Sequence, residues 1–376
     1  MFINKICLVV LSVFILSCTL KAEEPIKIAA IYSKTGVASV ENAEFFDVVD
    51  FAVAEINKRG GVLGRRVRAI HIDNRSTPLG ARQAAIDAVK QNVVGVVGAC
   101  WSSFSLAMAP VLQEAGISMV SSASTNEKVT LVGDCIFRVC FTDAFQGKVM
   151  AQFAKEDMGA KTAVIFTNIN SDYSMGLSDI FYKNFASDGG EVLLVCKYSE
   201  TDVDFSVNLK KVLALKPDVM FIPGHEKDSA IIMKQSRNMG IKATFLGGDG
   251  WGDHVYDLVG DSVDGGYFSG AWHPDLPSKE TKEFLKKYKD WFGKDAPCDQ
   301  PWVFDATMVL LDAIRRAGST DRKQVRDALA DTKDFMAVTG RISFDENGDP
   351  IDRSGVILKF EKGKIVFVKS ISPAKK

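Results

Sequence analysis

The chain has 376 residues, of which 47% are hydrophobic and 25% are charged, so it is long enough for about two globular domains of ordinary composition. Its 46 basic residues nearly balance its 47 acidic residues, and no segment carries the basic excess that is typical of proteins that bind nucleic acid or a membrane surface. We therefore expect no nucleic-acid partner.

Residues 1–22 have the pattern of a secretory signal peptide. Lys5 supplies the positive charge, residues 6–16 are apolar but too few to span about 30 Å of hydrocarbon, and Ala22 offers a small residue at the cleavage position. Residues 14–18 also resemble a bacterial lipobox, in which Cys18 would carry a lipid anchor. The pattern predicts export to the periplasm and leaves open whether the protein is soluble or lipid-anchored.

The first half of the remaining chain alternates strand and helix patterns. Apolar and β-branched runs predict strands at residues 26–32, 67–73, 93–98, 117–121 and 136–140. Helical spacing of apolar residues predicts helices at 44–58, 79–91 and 144–158, with another between the third and fourth strands and a polar loop at 33–42. This βα repeat predicts a parallel sheet.

The pattern starts again near residue 142 and predicts a second doubly wound unit. Strands are expected at residues 161–167, 191–198, 218–223, 243–247 and 266–271, and helices at 173–187, 205–215, 226–239 and 254–258. Amphipathic helices at 280–292, 302–317 and 322–330 need a sheet to cover, and the first unit is the natural candidate. Late strands are expected at 342–344, 356–360 and 365–368, so the chain would cross between units more than once.

Small hydroxyl residues crowd the two turns that follow the third and fourth strands. These residues are Ser102, Ser103, Ser122, Ser124 and Thr125. Open α/β sheets bind ligands at the carboxyl ends of their strands, so these turns are candidate ligand contacts. Ser103 taken alone is better explained as a helix N-cap.

Seven segments in order resemble the type I periplasmic solute-binding proteins, in the leucine/isoleucine/valine-binding branch that serves ABC importers. The segments are KIAAIYSKTG at 27–36, EINKRGGVLGRRV at 55–67, GACWSS with SSAST at 98–125, IFRVCFTDAFQG at 136–147, SDYSMGL at 171–177, FLGGDGWG at 245–252 and FDENGD at 344–349. The resemblance implies two α/β lobes with doubly wound parallel sheets, joined by a three-segment hinge. Lobe 1 would comprise residues 23–141 and 272–352, and lobe 2 residues 142–271 and 353–376.

The resemblance also implies an amino-acid site in the cleft. A zwitterion in a dry cleft needs donors for its carboxylate and an anion for its ammonium group. By resemblance, Ser102 or its neighbour Ser103 and Thr125 would hold the carboxylate, and the Ala123 carbonyl would accept from the ammonium group. Asp249 would pair with the ammonium group and Tyr173 would close over the ligand, although without the resemblance Asp249 reads as a turn residue and Tyr173 as a buried helix residue.

Three further residues are weaker candidates for the side-chain pocket, namely Trp101, His225 and Trp302. A packed core tryptophan is at least as good a reading of either tryptophan. Val40 stands where relatives often have an aromatic residue, so that wall of the pocket would be smaller or more open. The expected ligand is a branched-chain or other hydrophobic amino acid, with a small amide, a urea or an aromatic acid as the alternative.

No enzymatic motif competes strongly with this interpretation. The histidines form no HExxH pattern, the serines no GxSxG elbow and the cysteines no CxxC pair, so we expect neither metal nor cofactor. A hydrolase that uses Ser102 with His225 is the remaining enzymatic alternative. Residues 345–349 begin like a calcium loop, but Val356 replaces the required glutamate and a hairpin turn is favoured. We predict a monomeric, non-enzymatic receptor that closes on its ligand and docks on an ABC permease.

Overall fold

The structure is a computed structural model that describes residues 24–372. The predicted signal segment and Cys18 lie outside the described residues. The strands are β1 Ile26–Tyr32, β2 Val67–Asp73, β3 Gly95–Gly98, β4 Ser118–Ser121, β5 Ile136–Arg138, β6 Thr162–Asn168, β7 Glu191–Tyr198, β8 Val219–Phe221, β9 Thr244–Gly247, β10 Tyr267–Gly270, β11 Phe335–Ala337, β12 Gly340–Ile342, β13 Gly355–Glu361 and β14 Lys364–Ile371.

The α-helices are α1 Ser39–Asn42, α2 Phe45–Asn57, α3 Pro78–Lys90, α4 Ser102–Glu114, α5 Asp143–Gln152, α6 Asp172–Ser187, α7 Ser206–Leu215, α8 Glu226–Asn238, α9 His254–Val259, α10 Lys279–Phe292, α11 Gln300–Ala317 and α12 Arg322–Ala330. Hydroxyl or carboxyl side chains cap several N-termini. Thr142 caps α5, Ser171 caps α6 and Ser278 caps α10, and each side chain accepts a hydrogen bond from a backbone N–H of the first turn.

The first lobe is built on a five-stranded parallel sheet in the order β2-β1-β3-β4-β5. Alternate residues of β1 point to opposite faces, so one set packs against α2 and α11 and the other against α3 and α4. Helix α11 lies close to the sheet because Gly95 has no side chain: a Cβ there would come within 2.7 Å of Leu310. Helices α11 and α12 therefore pack on the first sheet, as predicted, whereas α10 packs on α2 through Phe284, Tyr288 and Phe51.

The second lobe is built on a seven-stranded sheet in the order β14-β13-β10-β9-β8-β6-β7. Strands β6 to β10 pair in parallel, whereas β13 is antiparallel to both β10 and β14. The chain passes between the two lobes three times, after β5, after β10 and before β13, because the helices between β10 and β13 pack on the first lobe. The two-lobed α/β fold with parallel sheets is thus confirmed, while the predicted lobe boundaries at 141/142, 271/272 and 352/353 stay a proposal.

The sequence interpretation was wrong at three places. The helix expected at 144–158 ends as α5 at Gln152, and a π-helical turn at Phe153–Asp157 follows it. The strand expected at 342–344 lies two residues earlier, because β12 pairs with the unpredicted β11, and Phe344 instead forms a bridge with Pro350. The loop expected at 33–42 contains α1, which is too short to show helical periodicity.

Candidate functional site

A cavity lies between the lobes, at the carboxyl ends of strands from both sheets. Its first-lobe wall contains Glu41, Phe45, Cys100, Trp101, Ser102, Ser122, Ala123, Asp299, Trp302 and Val303. Its second-lobe wall contains Tyr173, His225, Glu226, Asp249, Gly250, Trp251 and Gly252. Each lobe therefore supplies only part of the lining, and the cavity is complete only when the lobes are together.

The N-terminus of α4 forms the hydroxyl side of the cavity. Trp101, in an extended conformation, precedes the helix, and Ser102 is its first residue. The first N–H groups of a helix lack partners within the helix and favour negative charge nearby, so this end of α4 suits an anionic group. The Ser102 hydroxyl accepts a hydrogen bond from the backbone N–H of Asn126 at 3.2 Å, which ties the two hydroxyl-rich turns to each other.

Arg138, at the end of β5, holds the second of these turns in place. It is fully buried, and its Nη1 donates to the carbonyl oxygens of Ser124 and Asn126 at 2.7 and 2.8 Å. Its Nε donates to Asp349 Oδ1 at 2.5 Å, so the charge is paired. Asp349 belongs to the segment that resembled a calcium loop, where Asp345 Oδ1 accepts the backbone N–H groups of Asn347 and Asp349. The predicted turn is therefore present and is closed by the bridge between Phe344 and Pro350, but β12 and β13, which flank it, do not pair with each other as a hairpin.

Asp249 is the carboxylate of the second-lobe wall. Its Oδ1 accepts from Gln146 Nε2 at 2.8 Å, and its backbone N–H donates to Gln146 Oε1 at 3.2 Å. Protein surrounds the carboxyl group, although part of its surface faces the cavity, and this burial raises the pKa of Asp249 to about 7. Beside it the backbone N–H of Gly250 donates to the Tyr173 hydroxyl at 3.0 Å, which fixes the tyrosine ring over the cavity.

Three further carboxyl groups line the cavity, and we call Glu41, Glu226 and Asp299 the acidic wall. Burial, followed in size by the charges of neighbouring carboxylates, raises the pKa of Asp299 to about 7 and that of Glu226 well above its usual range. Burial also raises the pKa of Glu41 to about 8, against the opposing effect of its hydrogen bond from Trp101. The acidic wall is thus an electrostatically costly arrangement.

Direct contacts join the lobes around the cavity. The Ser103 hydroxyl donates to Asp172 Oδ2 at 2.9 Å, across the cleft. The backbone N–H of Glu226 donates to Glu41 Oε1 at 3.1 Å. The indole of Trp101 stacks on the imidazole of His225 with 3.6 Å between ring centroids and 7° between planes. The structure is therefore the closed arrangement of the lobes.

Comparison with known proteins identifies the family. The model of the family described as periplasmic binding protein matches residues 25–364. The chain belongs to the periplasmic binding protein family. A leucine-binding protein, LivK, from Thermotoga maritima is 37% identical, with 93% of this chain and 99% of that chain covered and a TM-score of 0.87.

Two other relatives agree with this assignment. LivJ from Streptococcus pneumoniae, solved in complex with isoleucine, is 26% identical, covers 93% of this chain and all of its own, and has a TM-score of 0.88. The Leu/Ile/Val-binding protein BraC3 of Rhizobium johnstonii is 28% identical over 349 residues, which are 92% of this chain and 94% of the relative. The predicted resemblance to the leucine/isoleucine/valine-binding branch is thereby confirmed.

The structure of this binding protein brings together most of the predicted site residues. Those that line the cavity are Ser102, Ala123, Tyr173, Asp249, Trp101, His225 and Trp302. Three others do not line it: Ser103 faces Asp172, the Ser124 hydroxyl bonds to Ser105 and to backbone carbonyls, and Thr125 is fully buried behind the wall with no hydrogen-bond partner for its hydroxyl among the described residues. The ligand-binding role of every residue in this set stays a prediction.

Sequence reasoning missed the acidic wall and Gln146. Glu41 lies on the short helix α1, where the sequence predicts a polar loop. Glu226 is the first residue of α8, where an acidic residue is commonly found because it interacts favourably with the helix dipole. Asp299 directly precedes α11, and the same explanation applies. Each of these carboxylates lies at or beside the start of a helix, and Glu226 is followed by a basic residue, Lys227, so the sequence carries no local signal that groups the three together.

The hydrolase arrangement is not formed. Although Ser102 and His225 line one cavity, no hydrogen bond joins them in residues 24–372; the Ser102 hydroxyl faces Asn126 and the imidazole lies flat on Trp101. Burial lowers the pKa of His225 to about 3, so the ring is neutral.

Across residues 24–372, no helix has the length and apolar character that a membrane crossing requires. The family of the chain is one of solute-binding proteins.

Proposed function

We propose that the protein is the periplasmic receptor of an ABC importer, and that it captures a free amino acid between its lobes and presents the closed form to the permease. The observation that supports this most directly is that one cavity contains both a feature that favours an anionic group and a feature that favours a cationic group. The N-terminus of α4 suits a carboxylate, and Asp249 suits an ammonium group. The two groups stand on different lobes, so a ligand that uses both links the lobes.

Closure follows from this division. A ligand that contacts Ser102 on one lobe and Asp249 on the other binds the closed arrangement better than an open one, and therefore shifts the population towards closure. The inter-lobe contacts Ser103 to Asp172 and Trp101 to His225 then add to the stability of the closed state. We propose that the receptor acts as a monomer, because the two lobes of a single chain together form the whole lining of the cavity.

An aromatic acid is the weaker alternative. A benzoate-like ligand has a carboxylate that could bind at the N-terminus of α4, but it has no cationic group that could pair with Asp249. It would also face the acidic wall, and no lysine or arginine is among the described residues that line the cavity. The geometry therefore favours a zwitterion over a simple anion.

The experiment is a thermal-shift screen of the mature protein against the twenty amino acids, acetamide, urea and benzoate. A ligand that binds only the folded protein stabilises it by roughly 2.7 kcal/mol at a concentration one hundred times its Kd. We expect one or a few L-amino acids to raise the melting temperature and benzoate to leave it unchanged. A shift with benzoate and with no amino acid would contradict the proposal.

A further inference from the structure

The charge of the cavity exceeds what a neutral amino acid requires. Four carboxyl groups line it, from Asp249 and the acidic wall, and the described lining includes no lysine or arginine. The α-ammonium group of an amino acid provides a partner for one carboxylate, and the proposed function assigns Asp249 to it. The acidic wall is then left without a countercharge.

One carboxyl oxygen of the acidic wall has no hydrogen-bond partner among the described residues. Glu226 is 5% exposed, and its Oε2 has no hydrogen-bond partner within residues 24–372. A buried carboxylate oxygen without a donor carries a substantial free-energy penalty. Because Glu226 lines the cavity, a donor on the ligand is in a position to remove that penalty.

Glu41 is held as an acceptor on the opposite lobe. Its side chain is 12% exposed, Oε2 accepts from Trp101 Nε1 at 2.8 Å and Oε1 accepts from the Glu226 backbone N–H at 3.1 Å. Burial outweighs these two hydrogen bonds and raises the pKa of Glu41 to about 8, so a cation beside the carboxyl group would favour its ionised form. His225 Nδ1 is 3.9 Å from Glu41 Oε2, but the neutral imidazole supplies no charge. No described group beside Glu41 therefore supplies the positive charge that would keep it ionised at neutral pH.

A bound metal ion does not fit the arrangement. Among the described residues, no group of three or more histidine, cysteine, aspartate or glutamate side chains is placed to hold a metal. Lys294, outside the cavity, pairs with the half-exposed Glu44 at 2.7 Å and so does not neutralise the acidic wall. Phe45, Trp251 and Trp302 line the same cavity and offer apolar surface to a methylene chain. The surroundings suit an organic cation on an aliphatic stem.

We propose that the ligand carries a second positive charge at the end of its side chain, as an amino acid with an ammonium or guanidinium group does, and that Glu41 and Glu226 bind this charge from opposite lobes. This inference rests on the proposed function, since it assumes that the α-ammonium group contacts Asp249. An ammonium group offers three donors and a guanidinium group five, which suits the unpartnered oxygen of Glu226 and the neighbouring carboxylates.

The test compares ligands that differ mainly in charge, by isothermal calorimetry at pH 7.5. Lysine is compared with norleucine and arginine with citrulline, and leucine is included as the aliphatic reference. The variants are Glu226→Gln, which preserves shape, and Glu283→Gln as an exposed control on α10. We expect lysine or arginine to bind at least roughly 30-fold more tightly than its neutral counterpart. Glu226→Gln should lower the ratio of charged to neutral affinity by roughly 30-fold or more, as expected for loss of one partner of a buried charge pair.

The outcomes separate this inference from the proposed function. Tight binding of leucine or norleucine with weaker binding of lysine and arginine would overturn the inference and leave the amino-acid receptor intact. Absence of binding to every amino acid would overturn both. Melting of the ligand-free proteins checks folding independently. Glu226→Gln should melt at a higher temperature than wild type at pH 8, because burial of Glu226 at that pH costs either an unpaired charge or the uptake of a proton, and a large decrease would contradict the reasoning.

Discussion

Replacement of Asp249 by asparagine tests whether its negative charge binds the ammonium group of the ligand. The side chain keeps its size, and its oxygen can still accept from Gln146 Nε2, which lies 2.8 Å from Asp249 Oδ1. Only the negative charge is lost. The second lobe should therefore fold normally, and the effect should fall on the ligand. Asp257→Asn, on an exposed side chain of α9, is the matched control.

The expected magnitude follows from the burial of the pair. Removal of one partner of a buried, hydrogen-bonded charge pair costs about 2–5 kcal/mol, which corresponds to a loss of affinity of roughly 30-fold to several thousand-fold. We expect about a hundredfold weaker binding of the amino acid found in the screen. Calorimetry measures this directly, and an affinity within threefold of wild type would refute the ammonium contact.

The pH dependence gives a second readout of the same group. Burial raises the pKa of Asp249 to about 7, and an ammonium ligand requires the ionised form. Affinity of the wild type should therefore decline as the pH falls below 7, by up to roughly tenfold per pH unit. The Asp249→Asn variant should show a shallower decline, because one of the titrating groups is gone. Identical pH profiles for the two proteins would be incompatible with the assignment.

Three other predictions concern stability and closure. The cavity carboxyls have raised pKa values in the folded protein, with Asp249 and Asp299 near 7, so the folded state binds protons more tightly than the unfolded chain from about pH 4 to pH 8. The ligand-free protein should melt at a higher temperature at pH 5.5 than at pH 8.5, and the reverse order would show that the shifts are absent. Arg138→Met leaves Asp349 and buried carbonyls unpaired and should lower the free energy of unfolding in urea by roughly 3–5 kcal/mol; a loss below 1 kcal/mol, the size expected for a surface arginine, would contradict this role. His225→Leu removes a stacking partner across the cleft and should speed ligand dissociation by roughly fivefold in stopped-flow fluorescence, whereas an unchanged rate would show that the stack does not stabilise closure.

Sequence pattern was sufficient for the fold because each sheet follows from local signals. The boundaries of β1, β2 and β7 match the predicted strands residue for residue, since long runs of alternating or apolar residues end at clear turn residues. Short elements carry too few residues for a period. Helix α1 and strand β11 were therefore missed, and β12 was misplaced.

The candidate site also contains some residues that the sequence predicts and others that only the folded structure reveals. Ser102 lies in a turn of small hydroxyl residues after a strand, which makes it a candidate from the sequence alone, whereas Asp249 resembles an ordinary turn residue and is singled out only by the family resemblance. The meeting of Glu41 and Glu226 depends on a contact between residues 185 positions apart, on different lobes. No local pattern encodes that contact, and each glutamate alone resembles an ordinary residue of a helix terminus.

The placement of this pair on opposite lobes links charge to closure. When the lobes meet, the backbone N–H of Glu226 bonds to Glu41, but its own carboxylate is brought towards that of Glu41. With a neutral side chain in the cavity, closure costs either this repulsion or the uptake of a proton, and the Glu226 oxygen stays without a partner among the described residues. A cationic side chain removes both, and a coupling of about 1–3 kcal/mol between ligand and closure changes an equilibrium by 5- to 150-fold. In the proposed mechanism, selectivity therefore arises as much from the cost of closing on a neutral ligand as from attraction to a charged one.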